Sequence, residues 1–241
     1  MLWKVIDTGT HSAEDNMRLD RELLHSLTGE HPCILHLYEW ERPSITYGYF
    51  IDPKQSLHIE HIRERQIACV RRPTGGGIVF HLWDMAFSAL IPDRYAYKTT
   101  LDNYAMMHRA VLAAIQEWLQ REGLSLSAED LSDCENTCTS FCMANPSRYD
   151  LMFRGKKIAG AAQRRCAKGI LHQGTIALML PPQEELTSLL LPATPALEAI
   201  YRYTYPLIPG DVHPERLATV KQELRHLLPK HLENIPIGGE I

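Results

Sequence analysis

The chain has 241 residues, of which 45% are hydrophobic and 22% charged. Those proportions belong to a folded globular protein and exclude a disordered or fibrous one. Lys and Arg number 25 against 29 Asp and Glu, a formal charge of −4; no basic field is present to hold a polyanion, which excludes nucleic acid as the expected partner.

No apolar run approaches the ~18 residues that a membrane helix needs. The start, Met1-Leu-Trp-Lys-Val-Ile-Asp7, carries acidic and polar residues where a signal peptide would be apolar. A cytoplasmic protein with no membrane partner is expected. Its six cysteines, Cys33, Cys69, Cys134, Cys138, Cys142 and Cys166, then read as free thiols rather than disulfides. Without a repeat or a linker, residues 1–241 read as one domain, with a short helical tail from about 205 to 241.

Ser12-Ala-Glu-Asp15 has the form of an N-cap with an acidic first turn, and Leu19, Leu23 and Leu27 follow at helical spacing until Gly29. Strands are predicted at residues 34–38, 44–50, 67–70, 77–81 and 85–91, where β-rich runs alternate with turn residues. Within 100–123, Met107, Val111, Ala114, Ile115, Trp118 and Leu119 form the stripe of an amphipathic helix. Residues 125–148 are polar and read as a long loop of the kind that often carries function. Strands at 149–153, 157–163 and 170–180 form a meander, helices follow at 184–191 and 214–228, and the chain after Pro229 reads as irregular. The fold class is mixed α/β (α+β): a largely antiparallel sheet flanked by helices, because short turns join the strands.

Two segments could carry chemistry. In Arg71-Arg-Pro-Thr-Gly-Gly-Gly-Ile-Val-Phe-His81, three glycines expose backbone amides that can close round an anion, and the arginines add cationic donors. The stretch fits neither a dinucleotide fingerprint nor a Walker loop. In the second, Cys142 sits in a polar loop and Lys157 could be the ammonium that favours its thiolate. The spacing Cys134-x3-Cys138-x3-Cys142 lacks the close pair of a usual thiolate metal site, and His58-x2-His61 lacks completing ligands, so no metal is assigned.

Together with Asn16-Met-Arg-Leu-Asp-Arg-Glu-Leu-Leu24, Tyr38-Glu-Trp-Glu-Arg-Pro-Ser-Ile-Thr-Tyr-Gly-Tyr-Phe50, Lys156-Lys-Ile-Ala-Gly-Ala-Ala-Gln163 and Gln173-Gly-Thr-Ile176, these segments resemble the lipoate–protein ligase and octanoyltransferase family, which is related in fold to biotin–protein ligases. The resemblance implies a catalytic domain of that fold. It also implies an enzyme that places an octanoyl or lipoyl chain on a lysine of a lipoyl-bearing acceptor, the glycine cleavage H protein or the E2 lipoyl domain of a 2-oxoacid dehydrogenase. By resemblance, Arg72, Gly75, Gly76, Gly77 and His81 line the pocket. Ile78, Val79 and Phe80 supply the strand along the acyl or adenylate moiety, Lys157 is the essential lysine, and Arg164 is a basic residue near the substrate.

Cys142-Met-Ala-Asn-Pro-Ser-Arg-Tyr-Asp150 resembles the stretch that carries the acyl-accepting cysteine of one octanoyltransferase branch. That branch takes the chain from octanoyl-acyl carrier protein and needs no cofactor. The alternative is a ligase using ATP and Mg to form lipoyl-AMP, toward which the triple glycine leans. A third reading is a non-catalytic binder of lipoate or of a lipoyl domain. Gln173 stands where the family usually has a histidine, with His172 one place earlier, and strand alternation would turn the two to opposite faces. Arg71, Arg72, Arg164, Arg165 and Lys168 could steer an acidic carrier toward the site.

Overall fold

The structure, a computed structural model, describes residues 2–120, 123–128, 140–192, 195–210, 213–236 and 238. Strand β1 (Trp3–His11) opens the chain and runs parallel to β2 (Cys33–Trp40). The sequence gives no sign of β1 because Trp3 is its one buried residue, so apolar–polar alternation is missing from this edge strand. Beyond β2 lie β6 (Asp84–Pro92), β10 (Gly169–Ala177), β9 (Lys156–Cys166), β8 (Leu151–Phe153) and β7 (Leu124–Leu126), giving a seven-stranded sheet in the order β1-β2-β6-β10-β9-β8-β7. A three-stranded sheet, β4-β3-β5, is built from β3 (Ser44–Tyr47), β4 (Ala68–Arg71) and β5 (Val79–His81). Only β1–β2 and β3–β4 are parallel among the described strand pairs, so the mixed, largely antiparallel α/β architecture is the observed one.

Helix α1 (Ala13–Ser26) begins where the sequence predicts, with Ser12 Oγ accepting from Asp15 N at 3.1 Å. Its buried face is Ala13, Asn16, Met17, Asp20 and Leu24 rather than the Leu19, Leu23, Leu27 stripe, although Leu27, just past the helix, is buried too. Leu24 and Leu27 pack on Ile34, Leu90 and Leu171 of the large sheet. The other face of that sheet is covered by α3 (Thr100–Leu119) and α6 (Pro214–Leu232), where Met107, Val111 and Ile115 meet Val220, Leu224 and Leu228. The irregular end expected after Pro229 is replaced by helix: Leu232 is buried one turn beyond Leu228, and its burial carries the helix past the proline. Three short helices, α2 (Ile59–Glu64), α4 (Gln183–Leu189) and α5 (Ala196–Tyr203), pack through Ile62, Leu186 and Ile200 on Ile45 and Ile78 at the small sheet. No described helix is long and apolar enough to cross a membrane.

Two strand boundaries shift for a reason that builds the site. β3 stops at Tyr47 rather than 50 because Tyr49 N donates to Thr74 O at 2.9 Å, turning the chain to hold the glycine loop. β5 starts at Val79 rather than 77 because Ile78 pairs in parallel with Phe141 instead.

Candidate active site

The glycine loop is shaped by Arg72, which is buried. Its Nε and Nη2 donate to Gly75 O at 3.1 and 2.7 Å, Nη2 also to Gly77 O at 2.7 Å, and Nη1 to Thr46 Oγ1 at 3.2 Å. The guanidinium therefore holds the loop itself. Gly77 is required by close approach: a Cβ there would lie 2.5 Å from Ser140 O and 2.9 Å from Cys142 N. With that space open, Ile78 N donates to Ser140 O at 2.6 Å and Cys142 N to Ile78 O at 3.1 Å. The loop thus fixes the backbone on which Cys142 stands.

Cys142 and Lys157 meet. Lys157 is 1% exposed. Its Nζ lies 2.7 Å from Asp150 Oδ2, donates to Cys142 O at 2.9 Å, and is 3.8 Å from Cys142 Sγ. Asp150 is also buried and accepts from Tyr104 Oη at 2.6 Å, Ser147 N at 2.6 Å and Ser147 Oγ at 2.9 Å. A buried ion pair persists when its remaining lone pairs are satisfied in this way. Burial alone would lower the Lys157 pKa, but the Asp150 carboxylate and then Cys142 outweigh it, and the net shift is upward. Lys157 is therefore an ammonium at neutral pH, placed beside the Cys142 sulfur where it can hold a developing oxyanion.

Gly160 leaves the space for that lysine: a Cβ would lie 2.5 Å from Lys157 Nζ and 3.1 Å from Asp150 Oδ1. Gly160→Ala is expected to leave the fold intact and slow the chemistry of Cys142 by about 10²-fold, the scale of a 1 Å misplacement at a reacting group. Thermal melting and single-turnover rates on the same preparation check this. A normal rate would mean the ammonium needs no fixed position.

Cys142 opens on a pocket of about 350 Å³, partly open to solvent. Met17, Trp40, Val79 and Ala86 give it an apolar wall, and Arg72, His81 and Gln173 supply polar groups. His81 stacks on Trp40 at 4.2 Å, with Nδ1 2.7 Å from Asp84 Oδ2 and Nε2 2.9 Å from Thr46 Oγ1. Burial would raise the Asp84 pKa, but His81 and the Thr175 hydroxyl that donates to it prevail, holding it below the ordinary carboxylate value. Gln173 donates to Asp20 Oδ2 at 2.6 Å and accepts from Thr74 Oγ1 at 2.7 Å, and Asp20 binds His36 at 2.7 Å. It links the glycine loop to α1. His172 does face the other way, 5.6 Å from the rings of Tyr104 and His108 on α3.

Not every expected residue converges here. Gly75 and Gly76 belong to the loop that Arg72 braces, while Ile78 and Phe80 face a second cleft, and Val79 lines both cavities. Arg164 is exposed outside the pocket, 5.9 Å from the Tyr49 ring. Of the basic residues read as steering groups, Arg72 is consumed by the glycine loop and Arg165 is tied to Asp93 at 2.8 Å. Arg71 and Arg164 lie beside the exposed Tyr49, and Arg164 Nη1 also donates to Pro73 O at 3.4 Å. Cys134 and Cys138 lie outside the described residues, and His58 and His61 stack on each other at 3.6 Å.

Asp150, Tyr104, Gly160, Thr46 and Asp84 were not picked out from the sequence. Asp150 had a partial signal: the meander turning at Gly155 folds the chain just after Asp150 back along the strand that carries Lys157, bringing an acid toward a base.

Solved structures of the same fold include lipoate-protein ligase A bound with ATP, at 20% identity with a TM-score of 0.72, covering 96% of this chain and 83% of that one. Another is a bipartite lipoate protein ligase from Thermoplasma acidophilum, at 18% identity with a TM-score of 0.69, covering 97% and 83%. The fold is that of a lipoate ligase catalytic domain. Residues 12–197 match the lipoyl protein ligase A/B catalytic domain, and the chain belongs to that family. Similar proteins include octanoyltransferase LipM of Lysinibacillus sphaericus, 33% identical over 192 residues that span 77% of this chain and 69% of that protein. Octanoyltransferase LipM of Geobacillus kaustophilus is 32% identical over 195 residues, spanning 77% and 68%.

Proposed function

We propose that this chain moves an octanoyl group from octanoyl-acyl carrier protein to a lysine of a lipoyl-bearing acceptor, the glycine cleavage H protein or an E2 lipoyl domain, through a thioester on Cys142. The observation that carries this reading is the buried Lys157 ammonium 3.8 Å from Cys142 Sγ. The similarity to octanoyltransferases supports it. Cys142 attacks the donor carbonyl while Lys157 holds the carbonyl oxygen. The carrier leaves as its thiol with the proton from Cys142; the acceptor amine, neutral when it attacks, then forms the amide bond as the bond to Cys142 sulfur breaks, and the proton it loses returns to that sulfur. No cofactor enters these steps. The enzyme works in the cytoplasm, where both partners are soluble.

The second reading is an ATP- and Mg-dependent ligase making lipoyl-AMP, favoured by the Gly75-Gly76-Gly77 loop and by the shared fold with an ATP-bound ligase. Incubation with octanoyl-carrier protein without ATP, followed by intact-mass measurement, separates the two. One hydroxylamine-labile octanoyl adduct, absent in Cys142→Ala, is the expected result. Lack of an adduct, with lipoyl-domain modification only when lipoate and ATP are supplied, would overturn it.

A further inference from the structure

The segment carrying Cys142 is laid along Ile78 like a short strand, through the Ile78–Phe141 bridge and the Cys142 N to Ile78 O bond. Its side chains divide accordingly. Cys142 lines the pocket described above, and its neighbours Phe141 and Met143 line a different cavity of about 510 Å³, partly open to solvent. Val79 and Thr175 line both and form the thin wall between them. Trp83, Met179 and Ile200 also line the second cavity.

Lys157 reaches the same cavity through its backbone. It bridges to Thr204, Tyr205 N donates to Lys157 O at 2.8 Å, and Thr204, which lines the cavity, donates from Oγ1 to Met143 O at 3.3 Å. Cys142 is therefore flanked by residues of the second cavity, and the Lys157 backbone is tied to Thr204, which lines it.

A thioester has two arms that diverge from one carbonyl carbon. If the acyl arm fills the pocket beside Cys142, the sulfur-linked arm must leave the carbonyl in another direction, and the second cavity begins at the residues on either side of the nucleophile. We propose that this cavity is the binding site for the thiol arm of the acyl donor, an amide-linked aliphatic chain of the pantetheine type. The inference rests on the transferase reading above. In the step concerned, the bond from Cys142 sulfur to the acyl carbon forms and the bond from that carbon to the arm's sulfur breaks. The arm departs as a thiol carrying the proton that Cys142 loses. Its departure leaves an apolar channel into which the aliphatic stem of the acceptor lysine can enter.

The test compares two donors with the same acyl chain and arms of different length, octanoyl-pantetheine and octanoyl-N-acetylcysteamine, reading Cys142 acylation by intact mass against time. The wild-type protein is expected to react at least about 10-fold more efficiently with the long arm. In Leu180→Trp, where a half-buried residue of the cavity is enlarged into it, the ratio of the two rates should fall toward one. Equal rates for the two donors in the wild type, with Cys142 acylated, would overturn the arm site and leave the transferase reading standing. Acylation by neither donor nor by the carrier protein would remove both. A Leu180→Trp effect confined to ATP-dependent attachment of free lipoate would assign the cavity to a nucleotide and end the proposal. Should the variant not fold, the wild-type ratio alone decides.

Discussion

Lys157→Met should reduce acyl-enzyme formation by about 10²–10³-fold, the scale on which loss of one oxyanion donor acts, with Cys142 still present. It should also destabilise the protein by about 3–5 kcal/mol, because Asp150 is left as a buried carboxylate with no cation. The two effects are separable. Asp150 makes its ion pair with Lys157 and takes further bonds from Tyr104 and Ser147. Lys157→Met combined with Asp150→Asn leaves no buried charge, so much of the lost stability should return while the rate stays low. Chemical denaturation of both variants, beside single-turnover acylation, reads the two quantities independently. A double variant that recovered both would make Lys157 a structural residue with no part in catalysis.

A second large effect lies behind the site. His108 and His172 are fully buried, with 5.6 Å between ring centroids, and no described residue partners His108 Nδ1 or His172 Nε2. Burial drives the His108 pKa from 6.5 down to about 3, with Lys157 adding to the shift and a backbone bond to Tyr149 opposing it. His172 is also held well below the ordinary value, by burial and then by His108. Both are neutral in the folded protein, whereas in the unfolded chain they take up protons below about pH 6.5. Stability is therefore fully present above that pH and is lost as pH falls toward 3, by about 1.4 kcal/mol per pH unit for each histidine. Urea unfolding between pH 7.5 and 5 should show this decline, and His108→Phe, which keeps the ring stacked on Tyr104, should shallow it by one proton's share. A flat profile over that range would show that the histidines are protonated in place.

These histidines also mark where sequence reading reaches its limit. The stripe Met107, Val111, Ala114 and Ile115 gives the core side of α3, and turn residues give the meander, since both patterns follow the local period of the chain. The same periods say that His172 and Gln173 face opposite ways, and they do. What each face meets is decided by distant strands, so the pairing of Gln173 with Thr74 and Asp20, and of His172 with α3, is not written locally. β1 and α5 are lost for related reasons: the first exposes most of its residues, and the second is a short helix of 8 residues whose Ala199 and Ile200 are buried by the small-sheet layer. Within the site, the glycines, Cys142 and Lys157 were legible from their resemblance to a family. The meander brings Asp150 toward Lys157, but the pairing of the two sits beside a register irregularity between Leu151 and Met152 that no pattern of residue types announces.

The bracing of the glycine loop by Arg72 has a consequence for binding strength. A run of three glycines has more backbone freedom to lose than any other tripeptide, about 1–2 kcal/mol for each residue fixed. In many anion-gripping loops that ordering accompanies ligand arrival and weakens affinity by the same amount. Here the three hydrogen bonds from Arg72 to Gly75 O and Gly77 O complete the ordering during folding. Under the proposed function, the segment that underlies Cys142 is therefore already ordered before any substrate arrives, and its ordering is not charged against binding.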